Sequence, residues 1–572
     1  MVIRPDLLSS VLEIDVLHAL SEHKSDYRTF TCDYLQASLV KKWEPKDTSL
    51  ADAVAWSTFL KSNEGCREYT SCDWYKPETW GTADEMVFNE VKTILYRFFT
   101  PKGDSMLFES YRELFETARQ GPGAVNGAKG GSLYEKLFCG PLTATSSHLY
   151  HVYRACIKQI QYWDQADCQR SSQFGLFKQV EGSKVSFAPK TVKSSRMICK
   201  EPTLNMFFQL GLCEHLVRRL GSFFGIDLSS QPDVSHTLAR AGSRDGNLAT
   251  IDLSSASDSI SIGLCRAILP DWVFDTLMEI RSPSLSYKGN SHELYMISTM
   301  GNGFTFPLQT IIFASICRAV MRVYSHRSSM ETLSVFGDDI IVPAPFAGIV
   351  CRYLRFFGFT PNSDKTFIEG PFRESCGADF WNGRPCRPVS IKRLDTIQDL
   401  LVAINLLNDW SAYTGISLRE TVGLLMGELP DDFNVWVPPY ENYDSGIRVP
   451  SHLVPRLERH NDCGRLTWFY RSYRSRSKYY VFDHERERVL TPGGGGWRGL
   501  PYNPNGLMVS LLQGELRQSK IAVRLDRPIY KLARNSTPNW DTFLRGSWNV
   551  VKGTYISWQQ WVTAVESNIS MP

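Results

Sequence analysis

The 572 residues carry 63 Lys and Arg against 60 Asp and Glu, a net charge of +3 that neither requires nor excludes a nucleic-acid partner. Hydrophobic residues at 43% and charged residues at 22% are the balance of a soluble globular chain, and no run approaches the ~18 uninterrupted apolar residues of a membrane span. The 14 cysteines are scattered from Cys32 to Cys463 without a CxxC pair or Cys/His cluster, which argues against a zinc centre or disulfide framework and predicts mostly buried thiols.

Taken in chain order, the first segment, MVIRPDLLSSVLEIDVLHALSEH, breaks its apolar residues with Asp6, Glu13 and Asp15, offers no signal-peptide core, and predicts an intracellular protein. Gln120 to Ser132 is glycine-rich and reads as a flexible loop; it holds Lys129 but lacks the Gly-Lys-Ser/Thr ending of a P-loop. Lys184 to Lys200 contains Lys184, Lys190, Lys193, Arg196 and Lys200 and no acid. Such a run is either a solvated basic face or a receiver of phosphate charge.

Between about residues 245 and 370 the pattern predicts a short strand (NLATIDLS), a helical stretch, a loop, a second helix, a strand pair (TLSVFGDDIIVPA) and another helix. That order is an α+β core. Asp252 ends the first apolar strand, and an acid there is costly to bury unless paired. Gly337-Asp338-Asp339 lies between two apolar strands and reads as a hairpin tip, with Gly337 supplying the turn. An ordinary surface turn is the alternative. Two carboxylates at ~4 Å repel by about 4 kcal/mol at an effective dielectric near 20, so gathering three calls for positive charge. Oxygen-only ligands suit Mg²⁺ or Mn²⁺, and a two-metal site would serve an in-line phosphoryl displacement.

Past residue 390, LDTIQDLLVAINLLNDW has helical spacing. Arg465 to Tyr480 (RLTWFYRSYRSRSKYY) interleaves basic and aromatic residues, as a strand-binding surface, a partner contact or an amphipathic strand with a solvated basic edge would. Thr491 to Gly499 (TPGGGGWRG) reads as a second glycine-rich loop, in a region expected to be loop-rich.

In order and spacing, APKTVKSSRMICKEPTLNMFFQLG, TIDLSSASDSIS, STMGNGFTFPLQTIIFAS, VFGDDIIVP and NSDKTFIEGPFRESCG resemble the polymerase motifs of the replicases of single-stranded RNA bacteriophages, the leviviruses. The resemblance covers about residues 184–380 and implies a right-hand fold. An N-terminal region and fingers would occupy 1–245, including the basic nucleotide-channel segment 184–200. A palm would occupy 246–390, with part of 282–300 open to assignment to the fingers, and a thumb and C-terminal region 391–572. It further implies that Asp252, Asp338 and Asp339 hold two Mg²⁺ ions, with Mn²⁺ as a substitute, and that Asp258 and Asn302 sense the ribose of the incoming nucleotide. Those two groups can hydrogen-bond a 2′-hydroxyl and would be left unpaired by a deoxy substrate.

Gly301 and Gly303 would permit close backbone approach to template or nucleotide, and Pro307 fits the first turn of the following helix. Lys190 and Arg196 would meet the triphosphate. Lys365 matches a lysine that can protonate the leaving pyrophosphate, a salt bridge to Asp364 or Glu369 being its alternative. Where the family often has tyrosine before Gly-Asp-Asp, this chain has Phe336, which keeps a ring and loses a hydroxyl.

The resemblance implies an RNA-directed RNA polymerase that starts without a primer, with RNA template and product, nucleoside triphosphates, host elongation factors Tu and Ts and a host ribosomal protein as partners, in the bacterial cytoplasm. A reverse transcriptase shares the acids but usually sets a bulky side chain against the 2′ position. A two-metal nuclease would not need the ribose-sensing pair, and a non-catalytic RNA-binding palm protein would not need Asp252, Asp338, Asp339 and Lys365.

Overall fold

The structure, a computed structural model, describes residues 3–71, 77–103, 105–325, 332–430, 435–462, 465–493, 496–517, 520–523, 528–541, 548–551 and 553–569. Its centre is a three-stranded antiparallel sheet of β1 (Leu248–Ile251), β2 (Ser334–Phe336) and β3 (Asp339–Pro343), with β3 in the middle. Side chains alternate across a strand. Ala249, Ile251, Val335, Ile340 and Val342 therefore join the main core, while Leu248 and Ile341 join a smaller cluster with Ala239, Ala378 and Phe380 on the opposite face. Both faces are buried, which is why these strands are apolar runs rather than alternating ones.

Three helices brace this sheet: α1 (Gln231–Asp245), α2 (Thr305–Tyr324) and α3 (Ala344–Phe356). Among the described residues α2 is the one helix long and apolar enough to cross a membrane, but 78% of its apolar window is buried within the fold. A helix apolar all round belongs in a core. Pro307 sits in its first turn, where a missing N–H leaves no bond unmade.

A second sheet runs Ser194–Lys200, Gly182–Thr191, Ser284–Tyr287, Asn290–Glu293 in spatial order. The last two strands were not expected from sequence. Their residues (SLSYKGNSHE) are mostly polar, and the hairpin is fixed by its turn: Lys288 and Gly289 both take positive φ, +49° and +86°, as a type I′ connection requires.

The N-terminal helix Pro5–Glu22 shares a core with Ile397–Thr414, Arg419–Gly427 and Trp558–Asn568. Leu8, Leu12 and Val16 pack there with Leu400, Ile404, Trp410 and Val565. Asp15, which interrupts the apolar pattern, is buried and accepts the Glu420 and Thr421 backbone N–H groups at 2.9 and 2.8 Å, capping a helix remote in sequence.

The region after residue 450 holds more strand than expected. Arg465–Arg476 is the central strand between Glu458–Asp462 and Ile529–Thr537, so it is not an edge. Thr491 to Gly499, expected as a loop, contributes to a hairpin in which Thr491 pairs with Arg498 and Pro492 with Trp497. Backbone pairing holds that hairpin without the apolar alternation that marks a strand in sequence. Gln120 to Ser132 is irregular as expected but is tied down: Asn126 donates its N–H to Glu201 O at 2.8 Å and its amide to Gly182 O at 3.1 Å. Of the cysteines among the described residues, Cys32, Cys66, Cys199, Cys265, Cys317, Cys351 and Cys386 are buried and Cys168 is exposed.

Candidate active site

β1 ends at Ile251, which pairs with Ile340 of β3, so the next residues along each strand, Asp252 and Asp339, face one another at the sheet's end. Asp338 and Gly337 form the two-residue loop between Phe336 and Asp339. Gly337 takes φ +62°, Asp338 does not take positive φ, and a glycine at the first loop position is what a type II′ turn demands. The loop is anchored by Gly337 N–H donating to Thr310 Oγ1 of α2 at 3.0 Å. The Phe336 ring meets Phe306 edge-on, with centroids 4.7 Å apart, so the aromatic before the acids packs against the first turn of α2.

Asp252 is held from the other side. Asn362 donates its backbone N–H to Asp252 O at 2.8 Å and its side-chain amide to Asp252 Oδ2 at 3.0 Å. Lys365 Nζ stands 3.8 Å from the same oxygen. The ion partner of Lys365 is thus Asp252, in place of the Asp364 or Glu369 that sequence offered as its structural alternative.

These charges act on one another. Burial, and then the adjacent Asp338, push the Asp339 carboxyl up to about 7, with Asp252 and Glu374 adding to the effect. Asp338 is raised by burial and by Asp252, against the pull of Lys365 and Arg196. Burial would lower the Lys365 ammonium, but Glu374, Asp252, Asp339 and Asp338 outweigh it and hold the group above its ordinary range. Lys190 is lowered by desolvation and by the nearby cations Arg196 and Lys365, opposed by Asp252 and Asp338. The basic strands 182–191 and 194–200 therefore face the acids, with Arg196 opposite Ala188 in the register.

Buried carboxylates gathered this closely are short of positive charge, and an all-oxygen donor set suits a hard divalent cation. Asp252, Asp338 and Asp339 fit such an ion chemically. Among the described residues no three His, Cys, Asp or Glu side chains are already drawn into a metal cage. Asp252 is turned toward Asn362 and Lys365 instead.

Beside the acids lies the loop 298–303. Asp258 ends a short 3₁₀ turn (Ala256–Asp258), and its Oδ1 accepts Met300 N–H at 3.2 Å. Ser298 Oγ donates to Ser257 O at 3.3 Å. Asn302 Oδ1 accepts both the N–H and the hydroxyl of Thr299 at 2.8 Å each, which leaves its amide nitrogen facing outward from these bonds. Burial pushes the Asp258 carboxyl up to about 6, the Met300 N–H and Ser257 hydroxyl opposing. The structure thus brings Asp258 against the loop that carries Asn302.

Gly301 lies against the protein's own backbone. At φ +144°, a Cβ on it would run into the carbonyl of Cys199, whose N–H donates to Met300 O at 2.9 Å. Gly303 is close to Leu210. Both glycines thus permit close approach to the protein's own strand and helix, beside the approach to template or nucleotide expected of them.

Four residues here were missed from sequence. Asn362 stood within the quoted NSDKT stretch but had no pattern to mark it, and Glu374 is a lone acid in FRESCG. Gln209 and Glu201, described below, follow the basic segment and read as ordinary helix and loop polar residues. The contacts of Gln209 with Ile280 and Gly303 and of Asn362 with Asp252 cross 71, 94 and 110 positions of sequence.

An α+β protein with acids at strand ends, facing a basic two-stranded ribbon, has the chemistry to handle phosphates through bound cations. The chain belongs to the RNA replicase beta-chain family, whose description matches residues 1–438. It is 34% identical over 401 residues to the RNA-directed RNA polymerase subunit beta of Escherichia virus Qbeta, covering 68% of this chain and 63% of that protein. It is 43% identical over 242 residues to the RNA-directed RNA polymerase beta chain of Escherichia phage MS2, covering 42% and 44% respectively. The chain thus matches less than two thirds of the length of these relatives. Among solved structures, the RNA-dependent RNA polymerase of a human picorbirnavirus is similar at 13% identity and a TM-score of 0.30, over 43% of this chain and 55% of that one.

Proposed function

We propose that the chain is the catalytic subunit of a phage RNA-dependent RNA polymerase, with palm, fingers and thumb, that copies plus- and minus-strand viral RNA without a primer. The observation that carries this reading is the meeting of Asp252, Asp338 and Asp339 with Lys365, Lys190 and Arg196 in one field of charge. Asp252, Asp338 and Asp339 would hold two magnesium ions, for which manganese can substitute, and these would supply positive charge for the attacking and leaving oxygens of an in-line displacement.

In the step itself the 3′-hydroxyl of the growing RNA gives up its proton to water, its oxygen bonds to the α-phosphorus of the nucleoside triphosphate, and the bond from that phosphorus to pyrophosphate breaks. Arg196 and Lys190 steady the triphosphate charge. Lys365, kept protonated by four surrounding acids, donates its proton to the departing pyrophosphate oxygen. The ribose 2′-hydroxyl donates to the Asp258 carboxylate and accepts from the Asn302 amide nitrogen, so a deoxynucleotide leaves both groups unpaired.

Its partners would be RNA, nucleoside triphosphates, elongation factors Tu and Ts and a ribosomal protein of the host, in the bacterial cytoplasm. The test is magnesium-dependent incorporation of ribonucleotides on an RNA template by chain co-purified with bacterial elongation factors. Failure to incorporate under every metal and partner condition would refute the reading.

A further inference from the structure

Beneath the 298–303 loop lies a buried pair of side chains that no step above uses. Gln209, in helix Thr203–Phe224, is fully enclosed, and its Oε1 accepts the Gly303 N–H at 3.0 Å. That bond fixes the orientation of the amide, because a backbone N–H can only donate. Nε2 must then face the other way, where it donates to Glu201 Oε2 at 2.8 Å and to Ile280 O at 2.9 Å. Glu201 is 1% exposed, and the same oxygen accepts Ser282 Oγ at 2.9 Å.

The geometry points to Glu201 and Gln209 as positioning residues: a buried strut that sets the 298–303 loop and, through Gly303, the neighbouring Asn302 that reads the sugar of the nucleotide. This rests on the ribose-reading role proposed above for that loop. The loop's other supports lie toward its start and middle: Ser298 Oγ donates to Ser257 O at 3.3 Å, Met300 N–H donates to Asp258 Oδ1 at 3.2 Å, and Cys199 N–H donates to Met300 O at 2.9 Å. The strut is therefore the side-chain support of its Gly303 end. Burial pushes the Glu201 carboxyl up to about 7, with Gln209, Ser282 and Arg281 opposing. A carboxyl so desolvated is costly unless its bonds are made, which ties its position tightly to Gln209 and Ser282.

An exchange of the two functional groups tests the strut, using full-length chain with its bacterial partners and reading ribonucleotide against 2′-deoxynucleotide incorporation, with KM and kcat measured separately. Gln209→Glu sets two carboxyls against each other and is expected to lower the discrimination roughly tenfold, mostly through a higher ribonucleotide KM, the size expected for one buried bond. Glu201→Gln keeps a carbonyl oxygen for both donors and is expected to stay within about threefold of wild type.

The double variant Glu201→Gln, Gln209→Glu restores a donor facing an acceptor between the two side chains and an oxygen for Gly303, but sets a carboxylate oxygen against the Ile280 carbonyl, and is expected to recover part of the lost discrimination. A merely structural pair would change melting temperature without this split and rescue. Unaltered discrimination in folded Gln209→Glu, or a double variant no better than the single, overturns the strut. Should Gln209→Glu fail to fold, Gln209→Met carries the same expectation without the repulsion. If wild type incorporates ribonucleotides and Asn302→Ala relaxes sugar selection while the strut variants change nothing, only this inference falls; if wild type incorporates nothing, the polymerase reading falls first.

Discussion

Replacing Gly337 by alanine changes two things at once, and both can be sized. At φ +62° an alanine is strained by about 1 kcal/mol relative to glycine. Its Cβ would stand 2.5 Å from Phe306 Cε2 and 2.7 Å from Gln309 Nε2. Ordinary carbon contact begins near ~3.5 Å, so something must move by about 1 Å. Phe306 is pinned between Phe336 and the buried first turn of α2, and the hairpin carrying Asp338 is the part free to yield. We expect a stability loss of about 2–4 kcal/mol from strain and overpacking together.

A 1 Å displacement of Asp338 relative to Asp252 is expected to cost ~10²-fold in incorporation rate. Single-nucleotide incorporation kinetics and thermal unfolding of the same preparation measure both. Gly246→Ala is the control: φ is +69° there, but no atom lies within 4 Å of the added Cβ. It should lose about 1 kcal/mol of stability and keep its activity. Gly337→Ala retaining activity within threefold of Gly246→Ala would refute the claim that the hairpin positions the acids.

Other outcomes follow from the same site. Asn302→Ala frees the Thr299 N–H and hydroxyl as well as removing the amide, so it should relax ribose selection and raise the ribonucleotide KM; unchanged discrimination against 2′-deoxynucleotides would remove the role. Lys365→Ala should lower kcat by ~10² while leaving nucleotide KM near wild type, the signature of a lost proton donor, checked by steady-state kinetics. For Asp258 the sign runs from its folded value of about 6, above the ordinary 3.8: between these values the folded chain holds more protons than the unfolded one, so stability falls as pH rises through about 4 to 6. Asp258→Asn should therefore be more stable than wild type at pH 8, by on the order of 1–2 kcal/mol after discounting for partial exposure, with the gap closing below pH ~4, as denaturant unfolding at the two pH values would measure.

What sequence could convey was set by locality. The strand–acid, hairpin–acid pattern around Asp252 and Asp338 lies within short windows, and Gly337 is dictated by a turn of two residues, so these elements were legible. Pro307 at a helix start and the helix through Ile397–Thr414 were legible for the same reason. The hairpin at 284–293 was not, because its strands are polar and its turn is Lys288-Gly289 rather than an Asn-Gly or Asp-Gly pair. Thr491 to Gly499 misled in the opposite direction, since glycine weakens a strand signal without preventing backbone pairing.

At the site, residue identities were readable and their partners were not. Lys365 could be singled out, but that it faces Asp252 rather than Asp364 depends on Thr250 of β1 and the following Leu253–Ser254 pairing with Phe367 and Thr360–Pro361. Gly301 could be seen to need close approach, but that the approached backbone is Cys199 depends on how the basic ribbon docks. Asn362 and Gln209 act through contacts far apart in sequence, for which one chain carries no periodicity.

The measurement that bears most directly on the central claim is incorporation of labelled ribonucleotides, against deoxyribonucleotides, on an RNA template with magnesium, comparing wild type with Asp338→Asn after matching their thermal unfolding. Ribonucleotide-specific, metal-dependent synthesis is expected, which Asp338→Asn abolishes while its fold remains intact. Retention of roughly a tenth or more of wild-type activity in a folded Asp338→Asn chain, where loss of a metal-holding acid should cost far more, would contradict that claim.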